Sequence, residues 1–357
     1  MDKKAMIAMS GGVDSSVAAL LTMEEGIACV GVTLKLFQND DVGVSRTERC
    51  CSLADAEDAR RVAAALGMPH YVFDFSEDFR EDVIGRFVKE YMEGRTPNPC
   101  IDCNRHIKFQ RLLQRMRDMG FDYIVTGHYA RVALDAGSGR YLLKTAADPA
   151  KDQSYVLYAM TQQQLAHTRF PLGGLRKAEV RELAAAKGFG NAKKRDSQDI
   201  CFVLDGKYGD FIEQYTGKQF PAGDFVNEEG RILGRHRGLI RYTVGQRRGL
   251  GLALPAPLYV REKRLSDNAV VLCPDRALYT CGVEAHEINL IAADRIDRPL
   301  RVTAKIRYSQ GAKPATAVQT DEDRLRVDFD EPQRAVTGGQ AVVLYDGDVV
   351  VGGGTIL

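Results

Sequence analysis

The stretch AMIAMSGGVDSSVAALL, Ala5–Leu21, decides the fold. Ala5–Met9 is a short apolar run of the kind that forms a buried parallel strand. Ser10, Gly11 and Gly12 break it, and apolar residues then recur at helical spacing at Val13, Val17, Leu20 and Leu21. A strand that passes through two glycines into a helix offers free backbone N–H groups and the positive end of a helix dipole, which together favour an anion. Glycine removes the Cβ that would hold a phosphate away, and Ser10, Ser15 and Ser16 add hydroxyl donors. No Gly-Lys-Ser/Thr follows, so this is not a Walker loop. An ordinary βα turn capped by Asp14 or a serine is the plainer alternative.

Working outward, the first half alternates strand and helix. Strands are expected over 28–37, 70–75 and 122–132, and helices over 53–66, 79–91 and 103–119. A polar loop is expected over 38–49, and a Gly/Ser hairpin signal falls at Asp135–Arg140. That order predicts an α/β doubly wound parallel sheet, with ligands beyond the carboxyl ends of its strands. Gly127 and His128 then fall beside the opening glycine turn, although a lone histidine there is equally a solvated loop residue. From about Cys201 glycine becomes frequent and helical periodicity fades. The last stretch alternates at period two (Val302, Ala304, Ile306, Tyr308; Leu325, Val327, Phe329; Val343, Tyr345), which predicts a small antiparallel β-barrel. The expected division is 1–200, 201–274 and 275–357.

The chain has 357 residues, 45% apolar and 27% charged, with 49 basic and 48 acidic side chains. So balanced a chain can meet nucleic acid only through local patches. Arg231–Arg261 holds seven arginines and no acid, and Arg105–Arg117 holds five basic residues and no acid. Either run is a solvated face or a phosphate-contacting one, and in the second case binding falls steeply with salt. No export signal and no span-length apolar run is visible, so a cytoplasmic protein without a membrane partner is expected. In that setting the eight cysteines point to catalysis or metal rather than to disulfide staples. Cys103 sits at the predicted start of a helix near Arg105 and His106, which predicts a thiol reactive at neutral pH. A lone CxxC is otherwise half a zinc site, and Cys50 and Cys51 are too close together to complete one. Cys201 follows a polar run, Arg195–Asp199, rather than the apolar setting of a simply buried cysteine.

The segments SGGVDSS, TPNPCIDCNRHIKF, TGHYA, KDQSYVLY, FPLGG, DSQDICF, YTVGQRRGLG and QAVVLYDGDVVVGGG occur in this order. The first resembles the PP-loop of ATP pyrophosphatases, and the whole set is similar, nearly end to end, to the tRNA-specific 2-thiouridylase family. That resemblance implies a PP-loop domain, a small central domain and a C-terminal β-barrel. It implies ATP-dependent 2-thiolation of the wobble uridine of tRNA anticodons, with ATP and Mg²⁺ used, a target base flipped out of its stack, and a monomer expected. Position by position, Ala8, Met9, Ser10, Gly11, Gly12, Val13, Asp14 and Ser15 match the ATP loop, with Leu34 (methionine in most members) and Gly127 beside the adenosine. Cys103 matches the nucleophile and Cys201 the persulfide-bearing cysteine. Asn98 and Pro99 match the loop at the target base. His128, Lys151, Asp152, Gln153, Arg307, Tyr308 and Gln340 match positions that touch tRNA. Cys100 departs from the family, where aspartate is common, which puts an acid/base role there in doubt. It also leaves three thiols, Cys100, Cys103 and Cys201, that could ligate an iron–sulfur cluster. Two sulfur routes therefore stay open, a Cys201 persulfide fed by a cysteine desulfurase or relay protein, and a cluster.

Overall fold

The computed structural model describes residues 3–38, 51–194, 200–203 and 206–357. Most of the expected 38–49 loop, Cys50 and the Arg195–Asp199 run lie outside the described residues. The opening stretch forms β1 (Lys4–Ala8), a glycine turn and α1 (Val13–Glu24). Ala5, Met6 and Ile7 are fully buried, as a strand covered on both faces requires. β1 lies between β2 (Ala28–Lys35) and β4 (Tyr123–Val125), with β3 (His70–Asp74) outside β2. β5 (Arg131–Leu134), β6 (Tyr141–Lys144) and β7 (Thr168–Arg169) follow, and β7 pairs with β4. The resulting all-parallel sheet has the order β3-β2-β1-β4-β7. Strand order reverses between β1 and β4, so the crevice there is the binding position that a doubly wound sheet provides.

The expected strand over 122–132 is divided in two. β4 stops at Val125 because a turn at Thr126–Ala130 redirects the chain, and β5 and β6 form an antiparallel hairpin joined to the other sheet. That sheet is the C-terminal barrel: β12 (Tyr279–Leu290), β13 (Leu300–Lys305), β14 (Lys313–Asp321), β15 (Arg324–Arg334), β16 (Ala341–Asp346) and β17 (Val349–Ile356), all antiparallel. A β12–β17 pairing closes it, and Val302, Ala304, Ile306, Leu325, Val327 and Phe329 fill its interior as expected, whereas Val343 and Tyr345 face outward into the core shared with the sheet domain (Val342 and Leu344 point inward) and Tyr308 is exposed. Between sheet and barrel stands a four-stranded unit of β8 (Gly223–Val226), β9 (Ile232–His236), β10 (Tyr259–Arg264) and β11 (Ala269–Cys273), in the order β10-β11-β8-β9. Fold class and sequence of domains are as expected. Among the described residues no helix is long and apolar enough to cross a membrane.

One helix position differs from the sequence reading. The helix expected from Cys103 starts at Pro99, with Asn98 as its N-cap accepting the Cys100 N–H at 3.1 Å. Proline fits this first helical position because its missing N–H has no partner to find there. The helix continues to 118 through a π-helical stretch, Cys103–Arg111. Cys103 is thus one turn inside the helix rather than at its dipolar end.

Candidate active site

The glycine turn is built as a cradle. Gly12 caps α1 without any side-chain hydrogen bond, which leaves the first-turn N–H groups to a ligand. Gly11 has φ +72°, and a Cβ there would lie 2.2 Å from the Asp55 carbonyl oxygen. Gly127 is pressed against the same turn, since its Cβ would meet the Asp14 carbonyl carbon and the Ser15 nitrogen at 2.7 Å. Met9 and Val13 anchor the loop from below in the core, and Ala8 and Leu34 are half-buried at its edge. The Ser10 N–H donates to Ser15 Oγ at 3.2 Å, and the Ser15 and Ser16 hydroxyls both donate to the Gly12 carbonyl at 3.0 Å.

Four partners that the sequence reading missed hold this turn from far along the chain. Lys177 Nζ reaches both Asp14 oxygens at 2.7 and 2.8 Å, and Tyr129 OH donates to Asp14 Oδ1 at 2.8 Å. Asn191 Nδ2 donates to the Gly11 carbonyl and to Ser16 Oγ. Lys194 Nζ bridges Asp55 and Asp58 at 2.6 and 2.7 Å, behind Gly11. Nothing local in the sequence marks Lys177, Asn191 or Lys194 as partners of a loop more than 160 positions away.

Cys103 is buried in an aromatic cluster with Phe79, Phe87, Phe202 and Phe211. The Phe202 ring meets Phe87 at 5.2 Å and Phe79 at 5.7 Å, edge to face, and so anchors the segment that carries Cys201. Cys201 itself is exposed, and its thiol lies within electrostatic reach of both Cys103 and Cys100. The two thiols, far apart in sequence, thus influence each other electrostatically. The structure overturns the expected low thiol pKa: burial pushes Cys103 up to about 11, and the protein packed around Cys201 pushes that thiol up as well. The expected cations also fail, because Arg105 pairs with Glu287 at 3.5 Å and His106 turns to Gln110 at 3.2 Å. The cation acting on all three thiols is Lys108. Among the described residues no three His, Cys, Asp or Glu side chains are grouped so as to hold a metal ion.

The remaining predicted positions follow the seam between sheet domain and barrel. Gln340 Nε2 donates to the Thr96 carbonyl at 2.6 Å, just before Asn98 and Pro99. Arg307 donates to the Ala335 carbonyl and to Thr337 Oγ1. Tyr308 is exposed, its ring 6.2 Å from Tyr155, with Lys151, Asp152 and Cys100 in electrostatic reach. Asp152 is buried and serves the scaffold, accepting from the Ala146 N–H at 3.0 Å and Ser154 Oγ at 2.8 Å. Gln153 accepts the Tyr129 N–H at 2.9 Å, one residue from the buried His128. His128 packs between Phe109 and Phe170 and shares a 2.6 Å hydrogen bond with Thr126, and burial holds its pKa well below 6.5. One ion pair crosses this seam, Arg86 to Glu287 of β12 at 2.8 Å, while Arg86 also lies 3.3 Å from Asp102 within the sheet domain. Of the seven arginines in the 231–261 run, Arg235, Arg241 and Arg261 are paired with acids from elsewhere, while Arg231, Arg237, Arg247 and Arg248 form no ion pair among the described residues.

A glycine turn with open helix N–H groups at the switch point of a parallel sheet, in a chain that continues into two β domains, defines a nucleotide-binding α/β protein with appended β domains. Family models match in the same order: a tRNA methyl transferase HUP domain over 3–205, a tRNA methyl transferase PRC-barrel domain over 209–274 and an aminomethyltransferase β-barrel domain over 281–356. The chain belongs to the family of the tRNA-specific 2-thiouridylase MnmA. The relative of that name in Clostridioides difficile (strain 630) is 49% identical over 356 residues, covering 100% of this chain and 98% of its own. The one in Acetivibrio thermocellus is 49% identical over 355 residues, covering 99% of each chain. The one in Symbiobacterium thermophilum is 48% identical over 358 residues, covering 99% and 92%.

Proposed function

We propose that this chain catalyses ATP-dependent 2-thiolation of the wobble uridine of tRNA anticodons, with sulfur carried as a persulfide on Cys201. The observation that supports the reading is that the Cys201 thiol lies within electrostatic reach of Cys103, a residue far away in sequence, in a chain that also holds the glycine cradle. A uracil carbonyl oxygen leaves poorly. Attack of that oxygen on the α-phosphate of ATP expels pyrophosphate and makes AMP the leaving group. The α1 N–H groups and the Ser10–Ser15 hydroxyls hold the phosphates through this step. Mg²⁺, when bound, supplies charge neutralisation on the departing pyrophosphate.

The terminal sulfur of the Cys201 persulfide then attacks C2 and AMP departs. Cys103 next attacks the Cys201 sulfur. The S–S bond to the transferred sulfur breaks, its electron pair stays on that sulfur as the thiocarbonyl, and a Cys103–Cys201 disulfide forms. Two cysteine sulfurs are oxidised as the transferred sulfur is reduced, so a dithiol reductant must reopen the pair, and a persulfide donor protein must reload Cys201. The tRNA lies along the seam of Asn98, Pro99, Lys151–Gln153, Arg307, Tyr308 and Gln340. Arg247 and Arg248 add phosphate contacts, and ATP binds along Ala8–Ser15 with Leu34 and Gly127.

Cys201→Ser tests this reading. It should abolish 2-thiouridine formation while tRNA-dependent pyrophosphate release persists. Thiolated product from the variant would refute the persulfide route.

A further inference from the structure

The sulfur pocket needs a positive charge, and the obvious donors are committed. Each sulfur intermediate is anionic: the persulfide before attack, the thiolate of Cys103 during disulfide formation, and the AMP phosphate arriving with the activated uracil. Among the described residues, the charged and titratable groups around the pocket include Arg86, Glu90, Asp102, Arg105, His106, Lys108, His128 and Glu287. Arg86 is held by Asp102 and Glu287, and Arg105 by Glu287. Burial lowers the pKa of His106 and lowers that of His128 further, so neither ring carries charge at neutral pH. Glu90, Asp102 and Glu287 have the wrong sign. Lys108 remains, half-buried, with no hydrogen bond or ion pair among the described residues.

Helix geometry places it there. In an α-helix of 3.6 residues per turn, a residue five positions on is rotated well away from the first. The stretch Cys103–Arg111 is π-helical, with i to i+5 hydrogen bonding, which brings the fifth residue back toward the starting face. Cys103 and Lys108 are five apart. The wide turn therefore moves the ammonium from a flank of the helix to the face that carries the sulfur. Charge reach agrees, since among the described residues Lys108 is the one cation that acts on Cys100, Cys103, Cys201 and His128 alike.

We infer that Lys108 is the counter-cation of the sulfur pair, set on the Cys103 face by the π-helical turn to hold the anions of sulfur transfer. The inference rests on the persulfide reading of the same site, and its test does not depend on turnover. The full-length protein is labelled at one pH with iodoacetate, an anion, and with iodoacetamide, a neutral reagent of similar size, and the rates at Cys103 and Cys201 are read by peptide mass spectrometry. Replacing Lys108 by Gln should lower the iodoacetate-to-iodoacetamide rate ratio at these sulfurs about three- to tenfold, with Lys108→Arg close to the original ratio. A purely structural role would alter both reagents alike and leave the ratio unchanged, which would overturn the inference. Equal ratio losses in the Gln and Arg variants would overturn it too, because the charge would then be irrelevant. Should the Gln variant fail to fold, Lys108→Met keeps the aliphatic stem and carries the same comparison. Failure here leaves the Cys201→Ser result untouched, so the two readings fail separately.

Discussion

The two halves of the site are built on opposite principles. The phosphate cradle is backbone, a few consecutive residues whose N–H groups are held open by polar ties from Asn191, Lys177 and Lys194. The sulfur site is side chain, with Cys103 buried in an aromatic cluster and Cys201 exposed beside Phe202, which belongs to that cluster. A phosphate is bound by fixed dipoles and tolerates water around it. A persulfide must be shielded from water and reductant until the activated base arrives. The contrast shows how one chain can handle a highly charged leaving group and an easily reduced sulfur within a single site.

If the pocket is held by ring packing, removing one ring should damage it most. Phe202 is 2% exposed and touches Phe79, Phe87 and Phe211. Phe202→Ala should cost about 3–5 kcal/mol in urea unfolding, and oxidative Cys103–Cys201 cross-linking should fall with it. Unchanged cross-linking would mean that the sulfurs are paired by something other than the aromatic cluster.

The cradle should break by geometry instead. Gly11→Ala places a Cβ against the Asp55 carbonyl at a left-handed φ, so turn and α2 (Cys51–Ala65) must separate. Pyrophosphate release should drop about a hundredfold, as expected when reacting groups are misplaced by an ångström, while alkylation of Cys103 stays unchanged. A loss of both together would join the two regions that the structure keeps distinct.

A third effect is smaller and separates the pocket from an ordinary surface thiol. Burial raises Cys103 from 9.0 to about 11. Its iodoacetamide reaction near pH 8 should therefore run tens of times slower than that of a free cysteine and still climb above pH 10. The sign for stability follows: the contribution is whole below pH 9 and is lost as pH rises toward 11. A plateau in alkylation rate near pH 9 would show the thiol to be solvated.

The same contrast governs what could be read from the sequence. The cradle was legible because its signal is contiguous: strand, glycines and helix start lie within Ala5–Leu21. The barrel was legible because alternation at period two is local. The turn of the Arg131–Lys144 hairpin was legible at Asp135–Arg140, but its first strand was merged with β4 into one run over 122–132, since an extended run reads alike whether it joins the parallel sheet or the barrel edge. The convergence of Cys103 and Cys201 was legible only by family resemblance, because ring packing across a hundred residues leaves no local pattern. The π-helical stretch Cys103–Arg111 was illegible for a different reason, as its residues keep ordinary helical composition and spacing. The basic runs were legible as sequence and misleading in space, where acids from elsewhere neutralise three of the seven arginines between 231 and 261.

The smallest effect concerns the contact that joins the two regions to the barrel. Glu287 sits at φ +49° beside a bulge in β12 and reaches Arg86 and Arg105, on the two helices that flank the sulfur pocket. Burial alone would raise its carboxyl, but the Arg86 hydrogen bonds and the charges of Arg86 and Arg105 overcome this and hold it near 2. Its contribution is therefore present above pH 4.5 and lost as pH falls toward 2. Asp102 runs the other way: burial raises it to about 6 against the pull of Arg86 and Arg105, so stability from its neutral form is whole below 3.8 and lost as pH rises through 6. Because the Glu287 side chain is about one-third exposed, solvent screens the pair, and Glu287→Gln should cost only about 1 kcal/mol at neutral pH. The difference between variant and parent in urea unfolding should shrink between pH 5 and pH 3, because the unfolded parent takes up a proton below 4.5 while the folded carboxylate keeps its charge down to about 2. A difference that stays constant across that range would assign Glu287 a steric role at the bulge, and the barrel would then be coupled to the sulfur pocket by shape rather than by charge.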